Sequence, residues 1–212
     1  MKRILVSSAF IAAAVFGLAA CASPEPTVKA PTSDESASSE TEGGDTTQDA
    51  AEDDGAEADD TSAAVGTREN PAPAGSTVKL GEYTVSLGAT ATNANDAIAA
   101  ENQFNEAPVT GRQFVMVPVT ATYNGSESGL PWLDLSVNFV GSAGNTYGGS
   151  GSTDDYCGVI PVALSDQGEI YGGATSAGNV CVSVPSAEIE GGTWVVEESL
   201  SFDDSKVFFA LQ

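Results

Sequence analysis

Tyr83-Thr84-Val85-Ser86-Leu87 is the stretch whose reading decides the fold. Apolar and polar residues alternate along it, the period-two pattern of a strand that buries one face and wets the other. Leu133, Leu135, Val137 and Phe139 repeat the pattern against Asp134, Ser136 and Asn138. Residues 114–119 are instead unbroken and apolar, and they continue through Thr120-Ala121-Thr122-Tyr123 to the turn Asn124-Gly125. This predicts a strand covered on both faces near its start. Pro118 within it has no amide to donate, so it belongs at an edge or a bulge. Further strand candidates lie at 156–164, 179–184, 193–197 and 206–211, with Gly, Asn, Asp and Ser between them. Residues 93–104 alone suit a short helix, with Asn95 as its cap. Short strands at this spacing predict an all-β antiparallel sandwich and not a βαβ sheet.

Working outward, residues 67–75 form an extended approach, because Pro71 and Pro73 push their predecessors towards β or polyproline geometry. Further upstream the character changes. No aromatic residue occurs between Cys21 and Tyr83, and between positions 25 and 60 there are 13 acids against the single Lys29. Such a segment buries too little apolar surface to offset chain entropy, so disorder is expected over residues 21–66. A flexible chain of about 50 residues spans roughly 40 Å, and charge repulsion stretches it further, which suits a stalk. Its acidic runs lack the ligand spacing of an EF-hand, and no metal or cofactor is assigned.

At the start of the chain, Met1-Lys2-Arg3 precede the largely apolar residues 4–20, the charge-then-apolar order of a secretory signal. Ala19 and Ala20 directly before Cys21 resemble the lipobox of bacterial lipoproteins. That resemblance implies removal of residues 1–20, acylation of the Cys21 sulfur, and attachment to a membrane at the extracellular face. The plainer alternative is an ordinary secreted protein with an incidental cysteine. The organisation expected is therefore a signal at 1–20, a disordered acidic linker at 21–66 and a β-sandwich domain at 67–212.

Charge restricts the partners. Without Lys2 and Arg3, 5 cations stand against 30 acids, a formal charge of −25. Nucleic acid is excluded as a partner, since binding it depends on clustered Lys and Arg. An anionic membrane surface would repel the domain as well, leaving the lipid at Cys21 as the membrane contact. There is no histidine, which removes histidine-based acid–base catalysis and the usual serine triads. Ser76-Thr77-Val78-Lys79 matches S-x-x-K, but it leads into a strand where that nucleophile motif needs a helix start.

Cys157 and Cys181 are the thiols left once Cys21 is acylated. In an oxidising compartment a disulfide between them is expected, stabilising the domain by roughly 3 kcal/mol through closure of the loop. A metal-binding or reactive pair is disfavoured by the absence of histidine and of a close C-x-x-C spacing.

Gly66-Thr67-Arg68-Glu69-Asn70-Pro71, then Gly75, Val78, the 83–87 strand, Arg112-Gln113-Phe114-Val115-Met116-Val117 and the Asn124-Gly125 turn together resemble the telokin-like domain of Gram-positive lipoproteins. That domain is similar in turn to a secreted mycobacterial immunoprotective antigen. The resemblance implies an extracellular immunoglobulin-like sandwich over residues 67–212, with no established activity and no site residue to carry over. The chain departs from antibody domains in lacking their Cys, Trp, Cys order, as neither Trp132 nor Trp194 falls between Cys157 and Cys181.

Among residues with chemistry to offer, Asp154-Asp155 and Asp203-Asp204 are paired carboxylates that could ligate calcium or act on a glycosidic bond, or serve as solvated turn residues. Trp132 suits either stacking on a sugar or plugging one end of the sandwich, the second being the expectation. Arg68 and Arg112 are expected to be local ion-pair partners. Three functions fit: a binding module for an envelope protein or glycan, which is favoured; an accessory or solute-binding component of a transporter or envelope complex; and a carboxylate-dependent hydrolase. The first two are not enzymes.

Overall fold

Arg112–Tyr123 is the longest strand and the one against which the others are laid. In the computed structural model, which describes residues 27–30, 64–148, 153–201 and 205–212, the elements in chain order are β1 (Val28–Lys29), β2 (Thr77–Leu80), β3 (Tyr83–Leu87), α1 (Asn95–Glu101), β4 (Arg112–Tyr123), β5 (Ser128–Gly129), α2 (Pro131–Asp134), β6 (Leu135–Val140), β7 (Thr146–Tyr147), β8 (Ile170–Tyr171), β9 (Thr175–Pro185), β10 (Thr193–Glu198) and β11 (Lys206–Phe209). They form one sheet in the order β1-β2-β3-β4-β9 and a second in the order β11-β10-β6-β7, with β5 and β8 as a separate short pair. All these pairings are antiparallel. The chain is an all-β, immunoglobulin-like sandwich.

The alternation read from the sequence is what brings the sheets together. Tyr83, Val85 and Leu87 face inward, as do Val115, Val117 and Val119 from β4, and they meet Val137, Phe139, Trp194 and Val196 of the second sheet. Burying one face of each strand in this way supplies the main stabilising term. The ring of Phe139 meets Trp194 edge to face at 5.3 Å. Trp194 is fully buried and its indole Nε1 donates to Thr90 Oγ1 at 2.9 Å, satisfying the one polar atom it carries into the core.

The start of β4 is covered on both faces, as its unbroken apolar run predicts. Val115 and Val117 point into the main core, while Phe114 joins Ala94, Ile98 and Cys157 in a smaller cluster beneath α1. Pro118 lies at a bulge. Leu87 pairs with Val119 and Ala91 bridges Met116, so four steps along one strand oppose three along the other. Gly88 donates to the Pro118 carbonyl at 2.8 Å, on the side where the missing amide would point.

Several expectations are corrected. Asn95 is the first residue of α1 and not its cap; its Oδ1 accepts from the Phe114 amide at 2.8 Å and so fixes the helix to β4. Leu133 and Asp134 belong to the single turn α2, leaving Leu133 exposed, because Pro131 at the first helical position favours a turn there. Residues 156–164 make no strand. Val28–Lys29, within the tract expected to be disordered, pairs with β2. Residues 21–26 (Cys21 included) and 31–63 of the expected linker, together with the signal at 1–20 and Asp203-Asp204, lie outside the described residues. Ser76 is buried and Thr77–Leu80 is a strand, so S-x-x-K does not sit at a helix start.

Replacing Thr90 by Val leaves the Trp194 indole without an acceptor in the core. We expect a loss of about 1–3 kcal/mol in a urea titration, with little change in the slope of the transition.

Candidate functional site

The two sheets leave one side of the sandwich open. β9 is an edge of the first sheet, and β7 pairs only with Phe139 and Val140, so the first half of β6 has no partner on that side. Residues 156–166 close this gap. They are fixed in three ways, all of them to residues 178–181 of β9. Cys157 is disulfide-bonded to Cys181 of β9, with Cα atoms 6.1 Å apart. Asn179 donates through its backbone amide to the Val162 carbonyl and through Nδ2 to the Pro161 carbonyl, both at 2.7 Å. Leu164 enters the main core, a fit that depends on Gly178, where a Cβ would stand 2.6 Å from the Leu164 Cα.

The disulfide is thus present as expected, but it does not join the two sheets as in antibody domains. It ties an irregular segment to a sheet edge. The segment read as a strand because its apolar residues are unusually frequent; several of them point to solvent instead. Val162 sits at φ 46 with its side chain exposed. For a β-branched residue this is a costly backbone conformation, held here by the two bonds to Asn179.

Between this segment, α2 and the free half of β6 runs a groove of about 500 Å³. Trp132 and Tyr156 line it, with Ser136, Ser165, Asp166 and Asn179 among the polar groups. A second depression of about 430 Å³ shares Tyr156, Cys157 and Gly158 with the first and is lined also by Phe104, Val109, Glu106 and Asp154. The exposed aromatic surface is unusual: Trp132 is 45 %, Tyr156 74 % and Phe104 82 % accessible. Trp132 therefore does not plug the sandwich, and Trp194 occupies the core in its place. Among the described residues no Lys or Arg lines either depression.

The acid pair at 154 and 155 is split. Asp154 is exposed at the second depression, whereas Asp155 turns inward and is buried. Asp155 forms an ion pair with Arg112 and accepts from the Gly148 amide at 3.3 Å. Arg112 also donates to Ser183 Oγ at 3.1 Å and to the Ser183 carbonyl, and it lies 5.3 Å over the Tyr147 ring. The expectation that Arg112 is an ion-pair partner holds. Asp155 corrects both readings of the pair, being neither a solvated turn residue nor a free ligand, because the partly buried guanidinium of Arg112 beside it pairs with a carboxylate. Arg68 approaches Gly144, where a Cβ would lie 3.3 Å from its Nη2.

A third, acidic depression of about 360 Å³ lies at Tyr83, Tyr123, Glu82 and Asp134. Asp134 and Glu82 are both engaged. Tyr83 donates to Asp134 Oδ2 at 2.5 Å, the Leu130 amide donates to the same oxygen at 2.8 Å, and Tyr123 donates to Glu82 Oε2 at 2.8 Å. Burial, then the bond to Asp134, pushes the Tyr83 hydroxyl well above the ordinary tyrosine range. The bond to Glu82, then burial, raises Tyr123. Among the described residues no group of three or more His, Cys, Asp or Glu is arranged to hold a metal ion, and no helix is long and apolar enough to cross a membrane.

Two outcomes test this arrangement. Changing Cys157 and Cys181 together to Ser is expected to cost about 3 kcal/mol by denaturant titration and to free residues 156–166 for proteolysis before global unfolding. Tyr83 keeps its proton in the folded state when the unfolded chain has begun to lose it, so its contribution is complete below about pH 10 and fades above it. Stability should therefore fall as pH rises beyond 10, and Tyr83→Phe should flatten that fall.

No protein-family model and no curated protein matches the chain. Among solved structures it is similar to a conserved hypothetical protein from Bacillus anthracis, determined at 2.2 Å, with 13 % identity, a TM-score of 0.38, and coverage of 63 % of this chain and 92 % of that one. A likeness at that score carries no argument about fold or function.

Proposed function

We propose that the chain is a cell-surface lipoprotein, anchored through Cys21 at the extracellular face, whose immunoglobulin-like domain is a binding module for an envelope glycan or protein. The observation that carries the binding half is the pair of adjoining depressions with Trp132, Tyr156 and Phe104 exposed along them. Large aromatics left in water on a secured wall are the usual anchors of recognition, offering apolar area at little cost in side-chain entropy. The charges that line the depressions are acidic, namely Asp166, Glu106 and Asp154, so the ligand favoured is neutral or cationic. A sugar ring that lays an apolar C–H face on Trp132 or Tyr156, with hydrogen bonds to the serines of the groove, meets these demands. The lipobox-like Leu18-Ala19-Ala20-Cys21 and the likeness to telokin-like lipoprotein domains support the placement.

A second reading, a solute-binding accessory of a transporter or envelope complex, is favoured by the groove volume of about 500 Å³. Small-molecule sites run from roughly 300 to 1,000 Å³.

The test is co-sedimentation of the mature chain carrying Cys21→Ser with purified cell-wall glycan. The double variant Trp132→Ala, Tyr156→Ala is expected to bind at least tenfold more weakly, with its urea transition unchanged. Equal binding by both would overturn the groove as the site. In parallel, growth with a labelled fatty acid should mark the natural chain and leave Cys21→Ser unmarked; an unmarked natural chain would overturn the anchor.

A further inference from the structure

Thr27-Val28-Lys29 and Thr77-Val78-Lys79 are the same triplet, fifty positions apart, and the fold pairs them with each other. Val28 stands opposite Val78 and Lys29 opposite Thr77, antiparallel, and the Lys79 amide donates to the Thr27 carbonyl at 3.3 Å. Without this segment β2 would be the free edge of its sheet, with unpaired backbone groups along it.

The contact is more than backbone pairing. The Val28 side chain packs against the main core, and it does so at Gly66, where a Cβ would stand 3.2 Å from Val28 Cγ2 and 3.0 Å from Val207 Cγ1. Gly66 is itself at φ +99, and its carbonyl accepts from the Phe208 amide of β11 at 2.8 Å. Val28 therefore closes the seam between the edge of one sheet and the edge of the other. Yet only two residue pairs and one side chain hold it, too little for a permanent element.

We propose that the β2 edge, with the space over Gly66, is a strand-docking surface whose occupant is the chain's own residues 27–30, held in reversible exchange. Undocked, the same edge is open to an extended partner. Docking also fixes a distance, a consequence that rests on the lipid anchor proposed above. Val28 lies seven positions beyond Cys21, a span of at most about 25 Å, whereas Gly66 lies 45 positions beyond it, a span of about 150 Å. Docked, the sandwich stands close to its point of attachment; released, it reaches several times farther.

Amide hydrogen exchange on the mature chain with Cys21→Ser tests the docking without the anchor. Val28→Asp, and separately a chain beginning at Pro31, should speed exchange at the Lys79 amide at least tenfold, with the Val85 and Val117 amides unchanged as the control for folding. Unchanged protection at Lys79 in both would overturn the proposal. So would protection in the parent chain that weakens on dilution, since the occupant would then be a second copy. With the acylated chain on phosphatidylglycerol vesicles, energy transfer from a dye on the domain to labelled lipid should drop on Val28→Asp. No drop alongside a positive exchange result would overturn the placement at the membrane and leave the docking standing.

Discussion

The pairing of β4 with β9 is the constraint from which the rest follows. It runs in unbroken register over eleven residue pairs, from Arg112 opposite Pro185 to Thr122 opposite Thr175. β4 also pairs with β3, so it is interior to its sheet and β9 becomes the edge. That single placement puts Asn179 and Cys181 at the open side of the sandwich. There they secure residues 156–166, and with them one wall of the aromatic groove. Arg112, at the end of the same strand, binds Ser183 of β9 and Asp155 of the closing segment. The long ladder thus orders both the core and the site.

Much of this was legible in the residues themselves. Strands with one wet face show alternation, and Tyr83–Leu87 could be placed from it, while 193–197 was placed as an apolar run between turn signals. The unbroken run at the start of β4 correctly implied cover on both faces, and Pro118 implied an edge or a bulge, of which the structure has the bulge. Where reading by pattern fails, the cause is physical. Residues 156–164 carry strand-like apolar density because they cap a sheet edge while presenting Tyr156, Val159 and Val162 outward, two demands that a periodic pattern does not separate. Asn95 has the chemistry of a cap but spends its oxygen on the Phe114 amide. Such tertiary competition for a side chain leaves no trace in local sequence.

The site was half legible. Trp132 and the disulfide pair were named from residue type, yet the likelier-looking role of Trp132 was the core, since nothing local distinguishes it from Trp194. What separates them is position: Trp194 lies in the unbroken buried run at the start of β10, and Trp132 follows a proline that turns the chain away. Asp154 and Asp155 are neighbours in sequence but point to different surroundings, one to solvent and one to the partly buried guanidinium of Arg112. Phe104 escaped notice because it ends the helix region and lines a depression completed by residues fifty positions away. Val28 escaped for the opposite reason: two residues hold no period, and the signal available was the repeated Thr-Val-Lys triplet, which composition hides.

The Cys157–Cys181 bond has a further consequence. One wall of the groove depends on a covalent link that thiol-rich compartments keep broken, so the reduced chain would carry a complete sandwich and a loose, misshapen groove. On the placement proposed above, binding at the groove would be switched on only where that bond can form, with no separate activation step.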